Sequence, residues 1–117
     1  MLSVQNGSPL STLGLTVRDM VVESFGGGTV DGGAIRIEDA SSVTLERVFF
    51  NRTRGETGGG LSIDRCSDVV IQHCSFVDTT ATVDGGAVAL ESFNHGAIIS
   101  NCTFTRNTAD GDGGSVY

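Results

Sequence analysis

A pair of glycines recurs along this chain at nearly constant intervals, and any fold must reproduce that interval in space. Gly32-Gly33-Ala34-Ile35-Arg36-Ile37 overlays Gly58-Gly59-Gly60-Leu61-Ser62-Ile63 and Gly85-Gly86-Ala87-Val88-Ala89-Leu90. Gly113-Gly114-Ser115-Val116-Tyr117 opens another copy. Successive pairs lie 26, 27 and 28 residues apart, and Val48-x-Phe50, Cys74-x-Phe76 and Cys102-x-Phe104 follow the same beat. Self-similarity at such a period marks a unit that buries its apolar face only by stacking on copies of itself.

Within each unit the hydrophobic period is two. Ile35 and Ile37 flank Arg36, Val43 and Leu45 flank Thr44, and Val48 and Phe50 flank Phe49. Alternation of this kind is strand patterning, and it gives three short strands per repeat closed by polar or glycine turns. Stacked strands about 4.8 Å apart make a parallel β-helix, one repeat per coil. The expected fold is therefore all-β, a single-stranded parallel β-helix of about four coils of 26–28 residues in one domain, 1–117. The coils run approximately 2–31, 32–57, 58–84 and 85–112, with another starting at 113. Stacking predicts apolar columns: Leu2, Ile35, Leu61, Val88, Val116; Val4, Ile37, Ile63, Leu90; Leu15, Val43, Val69, Ala97; and Val17, Leu45, Ile71, Ile99. The third strand supplies Met20, Val48, Cys74, Cys102 and then Val22, Phe50, Phe76, Phe104, while Ala40, Cys66 and Phe93 turn inward at a corner.

Charge narrows the partners. The net charge is −7, and every basic residue is Arg. An acidic surface without a basic stripe excludes nucleic acid as an expected partner and disfavours anionic membranes. No apolar run approaches the roughly 18 residues of a membrane span, so no membrane insertion is expected. The first strand begins in mid-coil and Tyr117 stands in mid-strand. Open solenoid ends expose backbone edges, so other protein chains or further coils of the same chain are expected to cover both.

The Gly-Gly-Ala-Ile of 32–35 and the Gly-Gly-Ala-Val of 85–88 resemble the GGA-[ILV] motif of polymorphic outer membrane protein repeats, and Phe104-Thr105-Arg106-Asn107 resembles the accompanying FxxN motif. The likeness covers most of 30–117. Two copies depart from it, because Phe50 is followed by Thr53 and Phe76 by Thr79. The resemblance implies a right-handed coil, an extracellular setting and a role in surface display and adhesion. It leads to the expectation of a non-catalytic, structural or adhesive module that touches proteins or glycans through its lateral strand faces. The alternatives are a polysaccharide-processing β-helix enzyme and an accessory subunit of a larger assembly.

The candidate sites follow from the same stacking. Asp84, Asp110 and Asp112 precede or flank glycine pairs in neighbouring coils, where carboxylates could share Ca²⁺, the one cofactor considered; the same residues are good turn formers. Asp64, Asp68 and Asp78, with Arg65 and His73 near in sequence, are the carboxylates available to glycoside chemistry. Asn6, Asn51 and Asn101 stand in N-x-[ST] sequons, candidate glycosylation points. Cys74 and Cys102 are expected as adjacent buried thiols, in a stacking that is poor geometry for a disulfide. Two outward columns form the expected interaction face: the small residues Ala34, Gly60 and Ala87, and the series Thr16, Thr44, Val70, Ile98, which grows more apolar along the axis. Val21, Phe49, Ser75 and Thr103 form a third outward column.

Overall fold

The computed structural model describes residues 2–5, 14–23, 33–92 and 96–117, with the backbone alone for 2–5. All its regular structure is strand. The first level holds β1 (Leu2–Gln5) and β2 (Leu15–Glu23), and the second holds β3 (Ile35–Glu38), β4 (Ser41–Asn51) and β5 (Arg54–Gly55). The third holds β6 (Leu61–Asp64), β7 (Ser67–Gln72), β8 (Ser75–Val77) and β9 (Thr80–Ala81). The fourth holds β10 (Val88–Glu91), β11 (Ile98–Ser100), β12 (Thr103–Thr105) and β13 (Thr108–Ala109).

Three parallel sheets run along the axis. The first stacks β1, β3, β6 and β10; the second stacks β2, β4, then β7 with β8, then β11 with β12; the third stacks β5, β9 and β13. Leu2 meets Ile35, Ile35 meets Leu61, Leu61 meets Val88 and Val88 bridges Val116, as the repeat alignment requires. Val17, Leu45, Ile71 and Ile99 are likewise in register. The expected second and third strands of each repeat share one sheet, and in β4 they are one continuous strand. The third sheet is an element that alternation did not reveal, because two-residue strands are too short to show a period.

The core is a set of buried columns. Ile35, Ile37, Val43, Leu45, Phe50, Leu61, Ile63, Val69, Ile71, Phe76 and Val88 are sealed from solvent. Phe50, Phe76 and Phe104 stack nearly parallel, with ring centroids 4.6 and 5.1 Å apart. At the ends of the described stack burial weakens: Met20 and Ala97 are exposed, and Cys102 and Phe104 are half-buried, because among the described residues each has one neighbouring coil rather than two. Phe93 lies outside the described residues.

Corners between strands use the left-handed region. Among the described residues, each of the 12 non-glycine residues of positive φ falls in one of four columns: Asp39, Arg65, Ser92; Ser42, Asp68; Asp19, Arg47, His73, Asn101; and Arg52, Asp78, Arg106. Such a conformation costs an L-residue about 1–2 kcal/mol. Stacking offsets that cost, since corner amides donate to the neighbouring coil, as Asp39 N–H does to Asp64 O at 3.1 Å and Asp78 N–H to Thr105 O at 3.0 Å. Gly58, Gly85 and Gly113 form a fifth column with φ of 68, 65 and 62°.

One polar side chain ties two coils together. Asn107 Oδ1 accepts from Thr79 N–H at 3.0 Å and from its hydroxyl at 2.7 Å, while Asn107 Nδ2 donates to Phe76 O at 3.1 Å. One level down, Thr79 occupies the equivalent place over Thr53, and Thr53 Oγ1 is buried with no partner among the described residues. The shorter side chain of Thr79 does not make the bridge that Asn107 makes. Asn107→Ala is expected to lower stability by about 2 kcal/mol, because buried donors and acceptors are left unpaired. Thr79→Asn is expected to raise it by about 1 kcal/mol through a second bridge. Urea denaturation midpoints at constant slope measure both.

Candidate functional site

The outer face of the second sheet carries Val21 and Ile98, two of the exposed large hydrophobic residues among those described. Thr16, Thr44, Val70 and Ile98 are in register along it, and so are Val21, Phe49, Ser75 and Thr103. Ile98 is 56% exposed and Val21 65%, while Val70 and Phe49 are half-buried beside them. Val70 and Phe49 sit outward because the residues on either side of each, Val69 and Ile71, Val48 and Phe50, fill the core. Polar columns border the face: Gln72 donates to Glu46 at 3.3 Å, and Asn51 Nδ2 donates to Glu23 at 3.2 Å.

The small-residue column is a correction. Ala34 and Ala87 are 1% and 0% exposed, and Gly60 is buried with them. Strands β3, β6 and β10 begin one residue later, so these residues turn the corner and the outward alternation does not extend to them. Their carbonyls serve two amides at once: Gly60 O accepts from Ala34 and Ile35, and Ala87 O from Gly60 and Leu61. A Cβ on Gly60 would lie 3.2 Å from the Phe76 ring and 3.3 Å from that of Phe50. The column is small because the phenylalanine stack fills the space in front of it.

Charged groups gather at the corners and on the outer face of the first sheet. Three Asp–Arg forks link successive coils: Asp19 with Arg47 at 2.6 and 3.1 Å, Asp39 with Arg65 at 2.7 and 3.0 Å, and Asp78 with Arg106 at 2.6 and 2.8 Å. The hydrogen bonds from each arginine hold the three aspartates below their ordinary carboxylate range. Each fork joins opposite charges that stand 26 or 28 residues apart in the chain, and only the stacked corners bring them together. A depressed folded-state pKa adds stability that is complete above the unfolded value and lost as pH falls through the folded one. Thermal midpoints are therefore expected to drop below about pH 4, and Asp78→Asn to flatten that drop relative to wild type.

Glu38, Asp64 and Glu91 are stacked in register on the outer face of the first sheet. Arg65 pairs with Asp64 and approaches Glu38 at 3.7 Å, Arg36 pairs with Glu38 at 2.5 Å, and Ser62 donates to Glu91 at 3.4 Å. Asp64 is 8% exposed, and its Oδ1 is buried with no hydrogen-bond partner among the described residues. Asp68 and Asp78 stand at other corners, Asp78 held by Arg106, so the carboxylates singled out near Asp64 in sequence are spread around the coil.

The remaining candidates fall as follows. Asp84 Oδ1 accepts the Asp112 N–H at 2.6 Å, a turn contact between coils, and the Asp110 amide donates to Ala81 O at 3.2 Å. Among the described residues no group of three His, Cys, Asp or Glu is placed to hold a metal. Asn51 is half-buried and engaged with Glu23, Asn101 is exposed at its corner, and Asn6 lies outside the described residues. None of the three cysteines is bridged. Cys66 donates to Asp64 O at 3.3 Å, and Cys74 to Gln72 O at 3.3 Å. Burial pushes the Cys74 thiol up to about 11.

Inward columns in register, polar corners and three parallel sheets define a β-solenoid, and comparison with known families gives it a hand. The family model described as right handed beta helix region matches residues 6–116, so the chain belongs to that family, a right-handed parallel β-helix. No curated protein and no solved structure matches the chain. No helix of the described residues is long and apolar enough to cross a membrane.

Proposed function

We propose that the chain is a non-catalytic structural and adhesive module that works outside the cell and presents the outer face of its second sheet to a protein or glycan. The observation that carries this reading is the pair of apolar steps on that sheet, Val70 to Ile98 in one column and Val21 to Phe49 in the column across the corner at Arg47. An exposed apolar strip on an otherwise charged protein marks a contact surface, and a rigid stack holds its columns at fixed spacing. The extracellular setting rests on the resemblance of the glycine-pair repeats to those of surface-displayed proteins.

The test is a photo-crosslinking residue at Val70 in cells that make the protein, with one at exposed Arg54 as control. A defined adduct from position 70 alone is expected, and it should vanish in an Ile98→Glu background whose thermal midpoint is unchanged. Equal labelling from both positions sinks the reading. Protease shaving of intact cells tests the setting: digestion without lysis is expected.

A second reading, a polysaccharide-processing enzyme, draws support from the Glu38, Asp64 and Glu91 column beside Arg36 and Arg65. Release of reducing ends from an acidic or neutral polysaccharide, abolished by Asp64→Asn, would replace the first reading with this one.

A further inference from the structure

Cys74 and Cys102 hold consecutive places in one inward column. Thr103 pairs with Ser75, which sets the residues before them, Cys102 and Cys74, one above the other. The Thr103 amide donates to Cys74 O at 3.0 Å, and the Cys102 thiol reaches into the coil below, 3.5 Å from Ile71 O. Parallel neighbours are about 4.8 Å apart, inside the Cα range of about 4.4–6.8 Å that a disulfide spans. Side chains stacked at that spacing lie beyond the Cβ separation of about 3.8 Å that a disulfide prefers, so closure needs a shift of about an ångström. Strand β12 is three residues long and has β8 as its only strand neighbour among the described residues, so a small shift disturbs few contacts. Val48 continues the column beneath, and Cys66 sits at another corner with its thiol on Asp64 O.

We propose that Cys74 and Cys102 are a redox-responsive pair, oxidised by a small-molecule disulfide to a bond that staples the coil of β10–β13 to the coil beneath. The half-buried Cys102 reacts first. Its thiolate attacks one sulfur of the small disulfide, that S–S bond breaks, and one small thiolate leaves. The departing thiolate takes the proton of Cys74, whose sulfur then attacks Cys102 Sγ and expels the second small thiol. Two protein thiols are oxidised and one small disulfide is reduced to two thiols. The deeply buried Cys74, poorly ionised in its apolar surroundings, is the resolving partner.

The experiment incubates the native protein with oxidised glutathione, quenches with acid and maps peptides without reduction. The expected product is linked peptides carrying Cys74 and Cys102, with the protein lighter by two hydrogens. Closing a loop of one coil is expected to raise the thermal midpoint by roughly 5–15 °C, reversed by dithiothreitol. Cys74→Ser is expected to stop at a glutathione adduct on Cys102 with no such rise. A wild-type protein that also stops at that adduct, that remains unreacted, or that links Cys66 instead overturns the proposal.

Discussion

Gly59→Ala is expected to cost more than 3 kcal/mol and to leave little folded protein at 37 °C. A Cβ at this position would run into Gly86 O and come within 2.5 Å of Thr80 O and 2.7 Å of its carbonyl carbon. Gly86 O belongs to the next coil and Thr80 to the far side of the same coil; all are backbone atoms, which move only if a coil deforms. The amides at this point hold the coils together: Gly59 N–H donates to Gly85 O at 3.1 Å, and Gly60 N–H to Ala87 O at 2.9 Å. Relief of the clash therefore breaks coil-to-coil hydrogen bonds, each worth about 1 kcal/mol or more when left unpaired in the interior. Gly14→Ala is the control, because a Cβ there meets no atom of the described residues within 4 Å. It is expected to be neutral or slightly stabilising, since alanine restricts the unfolded chain. Expression level and guanidinium midpoints of the two variants make the comparison. Equal stability of the two would show that the coils slide apart more easily than their hydrogen bonding implies.

Phe76→Ala is expected to lose about 3–5 kcal/mol, the usual range for deleting a buried aromatic. Phe76 is the middle ring of the three, sealed from solvent and stacked on both faces. Its removal opens a cavity between Phe50 and Phe104 and in front of Gly60, whose missing side chain leaves nothing to fill it. Phe104→Ala is expected to cost about half as much, because its ring has one stacked neighbour and is half-buried. Denaturant unfolding with a common slope gives the ratio. A smaller loss at 76 than at 104 would contradict the continuous ring stack.

The coil, its period and its inward columns were legible in the sequence because each rests on a local rule repeated at a fixed interval. Val17, Leu45, Ile71 and Ile99, or Phe50, Phe76 and Phe104, can be aligned by eye, and stacking then has one economical solution. The glycine pairs read equally well, since a close backbone approach admits no other residue at Gly59 or Gly86. The Ala34, Gly60 and Ala87 column was misread for an equally local reason. Alternation tells which side of a strand a residue faces, but not where the strand begins, and here the start fell one residue later.

What the sequence determined by itself was the stack: parallel strands, apolar inside, one coil per repeat. The outward columns Thr16, Thr44, Val70, Ile98 and Val21, Phe49, Ser75, Thr103 also follow from the repeat, but the polar contacts between coils needed the tertiary structure. Asp39 and Arg65 are 26 residues apart, and Asp78 and Arg106 are 28 apart, with nothing local to join them, yet the corner conformation aims each pair across one coil spacing. The carboxylate column Glu38, Asp64, Glu91 and the bridge from Asn107 to Thr79 arise in the same way, whereas the stacking of Cys74 and Cys102 follows from the repeat alone. Hydrophobic patterning is written along the chain, whereas polar contacts in a solenoid run between coils, and their direction depends on corner dihedrals that no single repeat displays.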